Sequence, residues 1–172
     1  MKRIIVKISL LFGITILSFL LGCSEKIISP EANSDNLNKI TEAVPSPVTI
    51  NLELFFTGAN TAAGTFNISG IVNDNGTVAQ EFTLNGQPNN PGTAHGRKTL
   101  TGQDGEFDIR FQVRITPASP TTAVAEGRFV IMNGTGNYQG FHGVGTTYIE
   151  IDFVAGTLTG TYEGQAQFDN RN

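Results

Sequence analysis

The sequence predicts an all-β fold: a small antiparallel barrel of eight strands, mostly up-and-down. Three observations predict it. From residue 48 onward, apolar and polar residues alternate with a period of two, and successive strand side chains point to opposite faces, so each such segment reads as a half-buried strand. The segments are joined mostly by short links with turn chemistry, which forces neighbours to run antiparallel, since a parallel crossover takes a dozen or more residues. The composition agrees: 39% apolar residues supply a core, while 15% charged residues and 20 glycines suit a β-rich chain better than a helical one. Tryptophan is absent, so the 12 Phe must carry much of the bulky packing, with Ile, Leu and Val.

The strands follow in order. Residues 48–57 place Ile50, Leu52, Leu54 and Phe56 on one face, and residues 64–73 do the same with Phe66, Ile68, Gly70 and Val72. Residues 77–85 and 94–102 alternate less regularly. Residues 106–116 are the clearest case, with Phe107, Ile109, Phe111, Val113 and Ile115 opposite Glu106, Asp108, Arg110, Gln112 and Arg114. Residues 122–133 align Ala125, Gly127, Phe129 and Ile131; residues 143–154 align Gly145, Thr147, Ile149, Ile151 and Phe153; residues 157–168 align Leu158, Gly160, Tyr162, Gly164, Ala166 and Phe168. Asp74-Asn75-Gly76, Asp104-Gly105 and Ala155-Gly156 supply turns, and two longer loops are expected at 86–93 and 134–142. No segment after residue 48 has a helical period.

Eight antiparallel strands with one apolar face can close on themselves, which removes exposed edges. Such a barrel is just wide enough to be filled by side chains or to hold one small ligand. Inward glycines at 127, 145, 160 and 164 would relieve crowding. A two-sheet β-sandwich is the alternative that period two does not separate from a barrel.

Before residue 48 the chain has a different character. Residues 1–7 carry Lys2, Arg3 and Lys7, and residues 8–21 are almost wholly apolar. That run is short for a membrane span of ~20 residues, and a charged start before a short apolar run is the plan of an export signal. Leu20-Leu21-Gly22-Cys23 then resembles the lipobox of bacterial lipoproteins. The resemblance implies cleavage between Gly22 and Cys23, a diacylglyceryl group on the Cys23 thiol and acylation of the new amine, so that residues 1–22 are a signal peptide. Two or more acyl chains hold firmly where one is marginal, at ~0.8 kcal/mol per buried methylene. An uncleaved anchor helix, or an ordinary signal with a chance cysteine, is the opposing reading. Residues 23–47 are polar, contain Pro30, Pro45 and Pro47 and lack a sustained period; they read as a flexible tether to a domain at 48–169. No Asp follows Cys23 directly, which by resemblance to Gram-negative sorting rules points to the outer rather than the inner membrane.

Charge narrows the partners. Without the signal, eight basic residues face fifteen acidic ones, which argues against nucleic acid, since that needs a basic face. There is equally no polybasic patch for an anionic membrane, so attachment rests on the lipid. Cys23 is the single cysteine; no intrachain disulfide can form, and the domain must be stable without one.

The most distinctive stretch is Gly127-Arg128-Phe129-Val130-Ile131-Met132-Asn133-Gly134-Thr135-Gly136-Asn137-Tyr138-Gln139-Gly140-Phe141-His142-Gly143-Val144-Gly145. It resembles the Gly-Thr-Gly-x-(aromatic)…Gly-x-Gly segment of the allene oxide cyclase-like barrels, a group that includes the plant dirigent proteins. Gly160-Thr161-Tyr162-Glu163-Gly164 and the Gly102-Gln103-Asp104-Gly105 hairpin are similar in the same way. The resemblance covers roughly residues 95–165 and implies a barrel. Members include cyclases of oxidised fatty acids and proteins that steer radical coupling, but their functional residues find no matching positions here, and a shared fold does not carry function.

Chemistry-bearing residues are sparse. His95 and His142, the only histidines, sit in or beside the two longer loops and would form a metal or acid–base pair only if the loops met at one barrel end; no third ligand is indicated, and solvated loop histidines are the preferred reading. Tyr148, Glu150 and Asp152 share a strand face, but Ile149, Ile151 and Phe153 claim the core side, which leaves the carboxylates outside. Asp104-Gly105-Glu106-Phe107-Asp108 lacks the remaining positions of a calcium loop, and Asn133-Gly134-Thr135-Gly136 is followed by neither a helix nor Lys-Ser/Thr, as a phosphate loop would be. No catalytic set, metal site or cofactor is assigned. The expected function is that of a lipid-anchored, monomeric cell-envelope protein whose barrel binds a small apolar ligand or an envelope partner. The alternative is a dirigent-like or cyclase-like enzyme acting on an apolar substrate inside the barrel.

Overall fold

A computed structural model describes residues 44–87 and 90–169. The expected signal, Cys23 and the tether up to residue 43 lie outside the described residues. Eight strands run in order: β1 Ser46–Gly58, β2 Thr61–Gly70, β3 Asp74–Gln87, β4 Asn90–Gly102, β5 Glu106–Pro117, β6 Thr122–Gly134, β7 Phe141–Asp152 and β8 Thr157–Phe168. Each pairs antiparallel with the next, and β8 pairs antiparallel with β1. The sheet is a closed up-and-down barrel, which decides against the sandwich. At the closing seam Ile50 stands opposite Tyr162 and Leu52 opposite Gly160.

The period-two reading sorts most side chains correctly. Phe107, Ile109, Phe111, Val113 and Ile115 are buried inside with Phe129, Ile131, Ile149 and Ile151, and Arg110, Arg114 and Glu150 are exposed on the outer wall. Gly145 is one inward position where only glycine fits. A Cβ there would sit 2.6 Å from Cε1 of Phe129 and closer still to the backbone of Glu163, so the ring packs directly on the bare glycine backbone.

Two expectations need correction. Phe153 does not share the core face of β7: the strand stops at Asp152 and Phe153 is 51% exposed. Asp152 accepts hydrogen bonds from the N–H groups of Val154 at 2.8 Å and Ala155 at 2.9 Å, an Asx turn that ends the strand. The long loop expected at 86–93 is mostly strand: β3 runs to Gln87 and β4 begins at Asn90, with a bulge around Asn85 absorbing the surplus. The loop at 134–142 holds a short 3₁₀ turn, Gly136–Tyr138.

Candidate functional site

The two ends of the barrel are built differently. At one end lie the starts of β1, β3, β5 and β7 and the ends of β2, β4, β6 and β8. There Phe107 packs against Tyr138, Phe141 and Phe66 with ring centroids 4.6, 5.5 and 6.1 Å away, and Phe141 meets Phe168 at 5.0 Å. Asp74 ties the connections together over this aromatic plug. Its Oδ1 accepts from the N–H groups of Asn75 at 2.7 Å and Gln103 at 3.2 Å; its Oδ2 accepts from the Asp104 N–H at 3.2 Å and the Tyr138 hydroxyl at 2.9 Å. Desolvation pushes the Asp74 carboxyl up, but the four donors outweigh it and hold its pKa below the ordinary value. Gly136, at φ +60°, lets the Gly-Thr-Gly segment turn so that Tyr138 reaches inward. The most distinctive motif of the sequence thus seals this end.

The opposite end is open. A cavity of about 260 Å³ enters the barrel among Phe82, Ala94, Phe111, Ile115, Ile151 and Leu158, and among the described residues Gln80 is the one polar side chain on its wall. Its rim carries apolar groups facing solvent: Leu84 is 45% and Phe153 51% exposed. A larger open concavity, about 920 Å³, lies along β3–β6 and is walled by Glu81, Arg97, Arg110 and Arg128. Most of its polar side chains belong to the outward rows of the strands, so it belongs to the outer surface and not to the interior.

Beneath the cavity lies the residue the sequence reading missed. Lys98 on β4 is 1% exposed. Its ammonium or amine donates to the Gln80 side-chain carbonyl, and Nζ lies 4.5 Å from the ring centroid of Phe111 and 5.4 Å from that of Tyr162. Among the described residues no carboxylate forms an ion pair with it. Desolvation therefore dominates and pulls its pKa down to about 7. A void of about 10 Å³ touches Lys98, Ile149 and Leu158, and Ile149, Leu158, Gln80 and Phe111 also wall the cavity. A single layer of side chains thus separates Nζ from the cavity. Tyr162 is fully buried beside it, and burial pushes its phenol well above the usual range, so it stays protonated. Nearby Thr147 acts against that rise, but its hydroxyl donates to the Thr161 carbonyl at 3.2 Å, and among the described residues the buried Tyr162 oxygen has no hydrogen-bond partner. The signal for Lys98 was present, because Ala94, Lys98 and Leu100 share the parity of the inward row of β4.

The residues weighed from sequence remain apart. His95 pairs with Thr83 near the open end and bonds Asn85 at 3.2 Å. His142 is at the sealed end, 3.3 Å from Asp169 and 2.9 Å from the Gln167 amide. The loops do not bring the two histidines together. Tyr148 and Glu150 face outward, 3.4 Å apart, and Asp152 makes its turn. Asp104 and Gly105 form an ordinary hairpin on which the Gly-Thr-Gly segment rests, with the Asn137 N–H donating to the Asp104 carbonyl at 2.8 Å. Cys23 and Gly22 lie outside the described residues.

Fold and site together define a closed β-barrel cup, plugged at one end and hollow at the other, with a buried amine under its floor. No known protein-family model, curated protein or solved structure matches the chain.

Proposed function

We infer that this protein is a binding module that takes one small, largely apolar molecule into the hollow end of its barrel. The observation that carries the reading is the apolar-walled cavity of about 260 Å³, with solvent-facing Leu84 and Phe153 at its rim. It falls just below the ~300–1,000 Å³ of drug-sized sites, so the occupant is small. The lipobox-like Leu20-Leu21-Gly22-Cys23 supports display of the barrel on a membrane by lipid on Cys23, in the cell envelope, with the outer membrane favoured over the inner. The closed sheet has no free edge to pair, which supports a monomer.

Native mass spectrometry of the purified protein tests the cavity. A co-purified apolar ligand, or saturable uptake of 1-octanol, is expected; Ala125→Leu, which fills the cavity wall, should abolish it while the protein stays folded. Failure of the wild type to take up any apolar probe overturns the reading. Incorporation of labelled fatty acid that is lost in Cys23→Ser is expected for the anchor, and retention of label in that variant overturns it.

The dirigent-like or cyclase-like alternative has one specific support. Lys98 and Tyr162 stand inside the barrel, where an enzyme on this scaffold would need polar groups.

A further inference from the structure

We propose that Lys98 is the covalent attachment point for the cavity's ligand: its ε-amine condenses with the carbonyl of a small apolar aldehyde to form an imine. This deepens the binding-module reading and rests on it. Three observations converge on Lys98. It is fully enclosed, yet only the layer of Gln80, Phe111, Ile149 and Leu158 separates it from the cavity. Gln80 belongs to both places, walling the cavity and accepting the Lys98 hydrogen bond, so a swing of that amide uncovers Nζ to a ligand. No carboxylate among the described residues pairs with Nζ, which makes an ammonium costly there and favours the neutral amine. The downward shift of its pKa to about 7 agrees. A neutral amine in an apolar interior is a nucleophile toward carbonyl carbon.

The step balances without any further reagent. The Nζ lone pair adds to the carbonyl carbon, and the C=O π pair moves to oxygen, which takes a proton. The resulting carbinolamine gives up its hydroxyl, with one amine proton, as water and leaves a C=N bond. The neighbouring Tyr162, held as a protonated phenol, adds a weak acid to the same layer of the interior. The chemistry calls for a ligand with one carbonyl on an apolar chain or ring. Among the described residues a second polar group would meet apolar side chains and Gly58 on the cavity wall, apart from Gln80.

Lys98 is the only lysine after Lys39, so peptide mapping assigns an adduct without ambiguity. The full-length protein is incubated with octanal and sodium cyanoborohydride at pH 7, which reduces an imine to a stable secondary amine. The expected result is a dominant adduct on Lys98, formed roughly tenfold or more faster than on Lys26 or Lys39. The neutral-amine fraction favours Lys98 by about a thousandfold at that pH, before access through the side-chain layer is allowed for. Lys98→Met should lose the adduct yet still take up 1-octanol, and Ala125→Leu should lose both. Uptake of octanol without an adduct on Lys98, or equal labelling of Lys26 and Lys39, overturns the covalent inference and leaves the cavity reading standing. Octanoate binding that depends on Lys98, with no octanal adduct, overturns it in favour of an ion pair. Loss of octanol uptake in the wild type overturns the cavity reading itself.

Discussion

The two ends of this barrel use the same strands for opposite purposes. At the sealed end aromatic rings fill the interior: Phe66, Phe107, Tyr138 and Phe141 interlock, and the Asp74 carboxylate gathers four donors from three connections. At the open end Ala94 and Ala125 alternate with larger residues, the rings of Phe56 and Phe82 pack 6.2 Å apart at the mouth, and a cavity remains below. Lys98 sits on the boundary, too deep to be solvated and unpaired by any described carboxylate. The difference teaches where this fold stores stability and where it gives some up. A well-packed aromatic end costs little to keep closed, whereas a cavity and a desolvated amine each reduce stability and are informative for that reason.

Four measurements sharpen or break this contrast, from the largest expected effect to the smallest. Phe107→Ala, at the centre of the plug, should cost ~3–5 kcal/mol in denaturant unfolding, as for other buried phenylalanines. Phe56→Ala, half-buried at the open end, should cost far less; equal losses would mean that both ends are equally structural.

Lys98 predicts a pH dependence. Its folded pKa, about 7, lies below the value of 10.5 for an ordinary lysine. Below about pH 7 both folded and unfolded chains hold the proton, and the full cost of burial is present. Between about pH 7 and 10.5 the unfolded chain binds more protons, so stability rises with pH. From pH 7 to 9.5 the gain should be roughly 3 kcal/mol. Lys98→Met should flatten that slope and be the more stable protein at pH 7. A wild-type stability unchanged over that range would show that the amine is not desolvated.

Asp74 predicts the opposite sign at the other end. Its lowered pKa contributes stability that is present above the ordinary aspartate pKa and is lost as pH falls through the folded value. Asp74→Ala strands buried donors, should cost ~1–3 kcal/mol at pH 7, and should weaken the acid sensitivity of unfolding. The smallest effect is expected for Arg110→Ala on the outer wall, well under ~1 kcal/mol, compared with ~3–5 kcal/mol for its inward neighbour Phe111→Ala. Similar melting temperatures for these two variants would reverse the assigned facing.

Which residues share a face of the wall was, for most strands, determined by the sequence alone. Parity along a strand is a local property, so Phe107, Ile109, Phe111, Val113 and Ile115 share one face whatever the rest of the chain does. The same parity groups Lys98 with Ala94 and Leu100, and Gln80 with Val78 and Phe82. These were hard to read because a lysine and a glutamine interrupt the apolar count and make β3 and β4 look the least alternating. Turn chemistry likewise determined that neighbouring strands pair. Only the tertiary structure decided that β8 returns to β1, placing Ile50 against Tyr162, because no local pattern states that the first strand meets the last. It also decided which end is plugged: Tyr138 reaches Asp74 across 64 residues of sequence, a contact made by barrel curvature and not by spacing. The candidate site depends on both levels. Alternation sent Lys98 inward, but only closure of the wall removed it from water, withheld a carboxylate and left a hollow above it.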